Sequence, residues 1–304
     1  MTTEEEKIYT IVKNNSFIFF KDFIERITAK DNHKEDFISN DLIVLSFSSL
    51  QISLELAMKS LMLKKRGLRS LIDASITKSD NELYLDFKNN NLKVKRFEQI
   101  KIFTKQNNLV DDLDEDDFEI ITQFQKYRNG IVHFSYGFED GDYYDLKYDI
   151  IYFVVNILIK ILSCDEDLKP SEFLEYNLGK TYHKRLTNYL PYISAMNKMA
   201  KIASEKVYTC IHCENETYSK DEDYCYLCNI YNDPEYFINC SVCENKRSVI
   251  FDGLNLENND FSTNAKCLNC HNKTEVFMCQ ECEMIFDKYE NLKMCTIEKC
   301  INEE

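Results

Sequence analysis

The sequence predicts a mainly α protein, a bundle of four principal helices followed by small β units held by metal. Three observations carry this. Six Gly and three Pro against 20 Phe and 19 Tyr in 304 residues leave few turn formers for an all-β chain and favour long helices. Apolar residues return at near-helical spacing in long stretches of the first part of the chain. Beyond position 205 that periodicity gives way to paired cysteines, which are twelve of the thirteen in the chain. The expected divisions are 1–165 for the bundle, 166–206 for a helical extension and 207–304 for the cysteine region.

The first helix is expected from Glu4 to Thr28, where Ile8, Ile11, Phe17, Phe20, Phe23 and Ile27 recur on one side. A second, long helix runs from Glu35 to Lys65 through Leu42, Leu45, Leu50, Leu54, Ala57, Leu61 and Met62. Its basic end before Gly67 suits a helix C-terminus. From Ser70 to Lys105 the pattern is less regular. Leu83 to Phe87 is expected as a short strand or extended loop, and a short helix covers Phe97 to Phe103. Asp114 to Asp117 supply cap and acidic first-turn residues, opening a third helix with Phe118, Ile121, Phe124, Tyr127 and Ile131 on one broad face. Glu139 to Asp142 form an acidic loop, and a fourth helix runs from about Tyr144 to Leu162. Further helical segments surround Glu172 and span Thr181 to Glu205.

The most apolar run, Ile150 to Cys164, contains Asn156 and Lys160 and falls short of the roughly 20 residues of a membrane span. It is expected as a buried helix, with no membrane partner. No N-terminal stretch has the charged start, apolar middle and small-residue cleavage site of a secretory signal. Thirteen cysteines in such a chain point to a reducing, cytoplasmic setting and to metal rather than disulfides. Cys164, alone in apolar surroundings, is expected to be an inert core thiol.

Charge is uneven. Up to Lys206 there are 29 Lys and Arg against 33 Asp and Glu, a net of −4; the remainder holds 8 against 19, a net of −11. A tail this acidic is a poor general nucleic-acid binder and fits a protein partner or regulator better. The basic material lies earlier, in Lys64 to Arg69 and Lys93 to Arg96. Such runs are usually solvated helix ends, and phosphate contact is the sharper alternative.

One string carries chemistry: Gln125-Lys126-Tyr127-Arg128-Asn129-Gly130-Ile131-Val132-His133-Phe134. Metal-free RNA cleavage needs a group that exchanges protons near neutrality, and histidine's unperturbed pKa of about 6.5 suits it. It also needs a permanent cation that grips a phosphate with two prongs, which a guanidinium does better than an ammonium. His133 would act as general base on a ribose 2′-OH or as acid for the leaving 5′-oxygen, and Arg128 would stabilise charge on the phosphorane oxygens. Asn129 would orient the phosphate or Arg128. Gly130 is expected to interrupt the helix, because glycine costs roughly 1 kcal/mol there against alanine. On an ideal helix, five residues leave Arg128 and His133 about 140° apart and roughly 7.5 Å along the axis. Either the helix deforms at Gly130 or two copies of the chain build one site. The bland alternative is a core histidine bonded to a carbonyl.

Arg128, Asn129 and His133 together resemble the R-N-x-x-x-H signature of the HEPN superfamily, and the long-helix layout fits its four-helix bundle. The resemblance implies a metal-independent endoribonuclease that leaves 2′,3′-cyclic phosphate and 5′-OH ends. It also implies a homodimer whose two motifs line one cleft, and a toxin or antiphage-defence role. Members modified by a partner nucleotidyltransferase carry a tyrosine two residues after the histidine. Here that position is Ser135 and the tyrosine is Tyr136, so the likeness does not reach that control.

The tail cysteines form the pairs Cys210/Cys213, Cys225/Cys228, Cys240/Cys243, Cys267/Cys270 and Cys279/Cys282, followed by Cys295 and Cys300. Each C-x-x-C step presents two thiolates to one metal, and two steps complete a tetrahedral zinc site. Sequential pairing gives three structural zinc ions per chain in a row of zinc-ribbon units, with none needed for catalysis. The four-residue gap between Cys295 and Cys300 makes the third site the least regular. Interleaved pairing, such as Cys225/Cys228 with Cys240/Cys243, is equally compatible with the spacing. His212 and His271 read as bystanders.

Two functions of different class therefore stand: an RNA-cleaving effector, and a non-catalytic HEPN-like dimerisation module presenting zinc ribbons to a protein or nucleic-acid partner. The intact Arg128/Asn129/His133 set favours the first.

Overall fold

A computed structural model describes residues 2–29, 40–73, 75–132, 142–164, 166, 168–231, 238–251, 261–279 and 283–286. It is mainly helical, with small antiparallel sheets confined to the C-terminal part. The chain forms two compact units, Met1–Ala195 and Met196–Glu304.

Helix α1 (Thr3–Ile27) begins in a capping box: Glu5 N–H donates to Thr2 Oγ1 at 3.2 Å, and Thr2 N–H donates to Glu5 Oε2 at 2.8 Å. The same carboxylate accepts from Leu68 N–H through Oε1 at 2.9 Å, so one side chain caps α1 and pins the turn after α2. Gly67 in that turn has φ +72°, and a Cβ there would lie 2.7 Å from Glu5 Oε1.

Helix α2 (Asn40–Arg66) is the hub of this unit, packing along α1 and meeting α4, α5 and α7. Phe47, Leu50, Leu54, Ala57, Met58 and Leu61 are all buried and share one stripe about 100° wide along the helix. Small residues let α1 approach closely: buried Ser16 donates to the Ser53 carbonyl at 2.8 Å and Ser53 returns the bond at 3.0 Å. Phe20 and Phe23 of α1 are fully buried; truncating either costs about 3–5 kcal/mol.

Leu83 to Phe87, expected as a short strand or extended loop, fall within helix α3 (Asp80–Lys88). Ser79 and Glu82 make the capping box that turns Leu83 to Phe87 helical, and only Leu83 is buried. Helix α4 (Phe97–Gln106) follows. The basic runs turn out to hold loops. Arg69 donates to the Lys78 carbonyl at 2.6 Å and pairs with Asp80 at 2.9 Å, and Lys95 Nζ donates to the Ile72 carbonyl at 2.7 Å.

Helix α5 (Glu115–Val132) opens with Asp114 accepting from Asp117 N–H at 2.9 Å. It continues through Gly130, so glycine does not interrupt it. Residues 133–141, including the expected acidic loop, lie outside the described residues. Helix α6 (Asp142–Phe153) passes through a wide π turn (Val154–Leu158) into α7 (Ile159–Ser163). The two polar residues of this apolar run are satisfied locally. Asn156 donates to the Tyr152 carbonyl at 3.0 Å, and Lys160 reaches the Asp112 carbonyl at 3.0 Å and Asp117 at 3.4 Å. Among the described residues no helix is long and apolar enough to cross a membrane. Cys164 is half-buried beside Tyr9, Lys13 and Glu166 rather than sealed in the core.

Helix α8 (Pro170–Leu178) starts on proline and ends at Gly179, and α9 (Lys180–Thr187) and α10 (Leu190–Ala203) complete the helices.

In the second unit, strands β1 (Val207–Thr209), β2 (Glu216–Ser219) and β3 (Tyr224–Cys225) form an antiparallel sheet in that order. The last turns of α10 are tied to it by Asn197 on the Glu216 carbonyl, and the Ser204 that follows α10 is bonded to Ser219. Strands β4 (Val249–Phe251), β5 (Ser262–Cys267), β6 (Lys273–Met278) and β7 (Ile285–Phe286) form a second antiparallel sheet in chain order. Its core is Val249, Phe251, Ala265 and Val276 with Cys240 and Cys267; Ile211, from the first sheet's side, packs against it.

Candidate metal centres and the Arg128 segment

Four cysteine pairs adopt one backbone conformation. In each, the first cysteine's N–H donates to the carbonyl five residues on: Cys210 to Asn215 at 2.8 Å, Cys225 to Ile230 at 2.9 Å, Cys240 to Asn245 at 3.0 Å, Cys267 to Asn272 at 2.9 Å. The residue after the second cysteine turns left-handed, with φ +58° at Glu214, +65° at Asn229, +57° at Glu244 and +60° at His271. Its N–H closes the loop on the first cysteine's carbonyl, at 2.9–3.1 Å in all four. Only Asn favours that conformation among these residues; the others adopt it at a cost of about 1–2 kcal/mol. A tight loop that aims two sulfurs at one point accounts for the cost being accepted three times.

Cys210, Cys213, Cys225 and Cys228 converge, as do Cys240, Cys243, Cys267 and Cys270, each set with its sulfurs within 4.8 Å of one another. Cys210 and Cys228 sulfurs are 3.7 Å apart, Cys213 and Cys225 3.7 Å, Cys240 and Cys270 3.8 Å, and Cys243 and Cys267 3.7 Å. Ligands about 2.3 Å from a tetrahedral zinc lie about 3.8 Å from each other, so both sets fit that ion. The strands explain the pairing: β2 and β3 fold Cys225/Cys228 back onto the Cys210/Cys213 loop, and β4 and β5 bring Cys267/Cys270 onto Cys240/Cys243. Sequential pairing is thereby decided for two sites, and the interleaved alternative falls.

The crowded sulfurs divide: Cys213, Cys225, Cys243 and Cys267 are drawn below the ordinary thiol range, while Cys210, Cys228 and Cys270 are pushed up. At Cys267, burial opposes ionisation, but the Ser248 hydroxyl at 3.3 Å and the backbone N–H groups of Cys270 and Asn269 outweigh it and bring the thiol down to about 6. Cys213 is held below the ordinary thiol range by hydrogen bonds from Cys210, Cys225 and Cys228. His212 and His271 stand outside both four-cysteine sets. Of the third expected set, Cys279 is buried, whereas Cys282, Cys295 and Cys300 lie outside the described residues.

Arg128 and Asn129 occupy the last turns of α5. Arg128 Nη1 donates to Asn129 Oδ1 at 3.0 Å. Arg128 is half-buried, and its Nε is covered yet has no hydrogen-bond partner among the described residues; Asn129 is exposed. Such an orphan donor is uncommon in a folded chain and has to be met by a group outside the described residues or by a ligand. His133 follows the helix's last residue and lies outside the described residues.

One constellation escaped the sequence reading. Ser171 Oγ bonds His183 Nε2 at 2.8 Å, and His183 Nδ1 stands 3.8 Å from Glu175. The set has the order of a nucleophile, base and orienting acid, but Ser171 is 1% exposed and no described cleft reaches it. It joins α8 to α9. Spacing gave no sign of it because α8 and α9 are separate helices.

Comparison with models of known protein families, with curated proteins and with solved structures finds no match to this chain.

Proposed function

We propose that this chain is a metal-independent endoribonuclease of HEPN type, with Arg128, Asn129 and His133 as its catalytic set. The observation that carries the reading is the Arg128–Asn129 bond near the end of α5, five residues before His133 in the sequence. A neighbouring amide that holds one prong of a guanidinium presents the rest of the fork to a phosphate. Because α5 stays helical through Gly130, the Gly130-distortion version of the site loses its support. The version that remains pairs two chains, so that one copy's Arg128 and the other's His133 serve the same phosphate in a homodimer. His133 then takes the proton from the 2′-oxygen, which attacks the phosphorus, and the second His133 protonates the departing 5′-oxygen. The toxin or antiphage-defence role, and the four-helix bundle as a family fold, rest on the sequence resemblance alone.

The zinc ribbons supply folding and assembly rather than chemistry, since four-sulfur coordination leaves no open position for substrate. A third site from Cys279, Cys282, Cys295 and Cys300 brings the complement to three zinc ions. Its support is that Cys279 N–H donates to the Met284 carbonyl at 2.9 Å, Glu283 N–H to the Cys279 carbonyl at 2.9 Å, and Glu283 has φ +59°. Those are the three marks of the other four loops. The non-catalytic alternative draws on one observation, the joining of the two ribbons by Ile211 and by the Lys273–Glu214 pair at 2.8 Å into one presenting surface.

The test is incubation of the purified protein with mixed RNA in EDTA, beside an Arg128→Ala/His133→Ala double variant. Cleavage by the wild type alone, with 2′,3′-cyclic ends, supports the enzyme; equal behaviour of the two sinks it.

A further inference from the structure

The geometry points to a nucleobase-binding groove between α5 and α6, beside Arg128; that its ligand is RNA rests on the ribonuclease reading. The groove has a volume of about 310 Å³ and is walled by Phe47, Phe124, Tyr127, Tyr152 and Phe153, with Gln123 on its lip. That volume is at the lower end of small-molecule sites, roughly 300–1,000 Å³.

Its wall is flat and fixed. Phe124 lies between Phe47, with centroids 5.1 Å apart and planes 20° apart, and Phe153, at 4.2 Å and 13°. Phe47 and Phe153 are buried, so these rings are held by the core and lose little freedom when a further ring stacks. Tyr152, at 44% exposure, is the open side of the slot. A wide π turn begins directly after Phe153; such turns are rare within helices and frequent at functional sites.

Charge selects the ligand class. Arg128 stands four residues after Phe124, on the same side of α5 and one turn on, and its half-buried guanidinium brings a permanent positive charge to that end of the groove. The groove itself carries Asp149, which repels a phosphate but accepts from an exocyclic amine. A ligand that satisfies both has a planar, amine-bearing ring joined to an anion, which is a nucleotide with its base in the groove and its phosphate at Arg128. Stacking of this kind is tolerant of sequence.

The test is fluorescence anisotropy of the full chain with a short, uncleavable 2′-O-methyl oligonucleotide and with its abasic counterpart. Tyr152→Ala, on the exposed rim, leaves the fold intact and weakens binding about 5- to 100-fold, the worth of one lost stack. The abasic strand binds weakly to both proteins and does not distinguish them. Equal binding by wild type and Tyr152→Ala, or no binding of the base-bearing strand, overturns the groove. If Tyr152→Ala instead changes the sedimentation of the protein without changing affinity, the groove seats a second copy and the inference falls. His133→Ala separates the two readings: it abolishes cleavage if the ribonuclease assignment is right, and leaves base-dependent binding untouched if the groove is right.

Discussion

Arg128 donates from Nη1 to the side-chain oxygen of its own neighbour, Asn129, at 3.0 Å. Adjacent helical residues do not normally face each other, being about 100° apart. A long side chain must curl back along the helix to make this bond, and in doing so it is held in one orientation with its Nε covered.

On this geometry Asn129→Ala frees the guanidinium and lowers RNA cleavage about 10- to 100-fold, the worth of one hydrogen bond to a charged group. His133→Ala removes a proton-transfer group and costs roughly 10²–10⁴ in rate. Arg128→Lys keeps the charge, loses the fork and is nearly as damaging as Arg128→Ala. Single-turnover cleavage of a defined RNA measures all four variants. A substrate with 2′-deoxyribose at the scissile position stays uncut.

Assembly follows from the uninterrupted helix. An ideal helix sets residues five positions apart about 140° from each other, and α5 runs without a break through Gly130 to Val132. The proposed ribonuclease is therefore expected to run as an even-numbered oligomer in analytical ultracentrifugation. Mixing wild-type chains with the Arg128→Ala/His133→Ala double variant lowers the activity per wild-type chain, because each mixed pair lacks one copy's Arg128 and His133. A monomer that cleaves RNA contradicts this.

Metal content is countable. Native mass spectrometry of gently purified protein finds three zinc ions, two of them in the sets built on Cys210 and Cys240. Cys210→Ser lowers the count by one and unfolds the β1–β3 sheet, because the metal's binding energy is the folding energy of so small a unit. The far-ultraviolet helical signal stays close to wild type, since helices α1–α9 belong to a separate compact unit.

The turn after α2 depends on Glu5, whose carboxyl is held below its ordinary 4.5 by the backbone N–H bond from Thr2 and then by that from Leu68. Its folded pKa being depressed, its contribution is present above about pH 4.5 and is lost as pH falls through the lower folded value. Glu5→Gln thus lowers the melting temperature at pH 7, by a loss of about 0.5–2 kcal/mol typical of a cap. The gap to wild type narrows below pH 4. Because the comparison is a difference at each pH, acid release of zinc cancels. Gly67→Ala costs about 1–2 kcal/mol at either pH, its φ of +72° being strained for any side chain.

Much of this chain was legible without coordinates. The 3.6-residue return of apolar side chains marked α1, α2 and α5 to within a few residues at the ends described, because one buried stripe is what a long helix needs. The C-x-x-C steps marked metal loops, because five of them in one tail supply the paired thiolates of four-sulfur sites, where a redox motif needs only one. The segment from Leu83 to Phe87 was misread because five alternating residues satisfy helix and strand alike; the deciding capping box lay just upstream in Ser79 and Glu82. What the sequence left open were choices between distant partners. Whether Cys225/Cys228 joins the cysteines before it or after it depends on strand order, and β1–β2–β3 decides it. Whether Arg69 and Lys95 serve phosphates or carbonyls depends on which loops fold over them. The residue type sets what a side chain can bond, and the fold alone determines which partner comes within 3 Å.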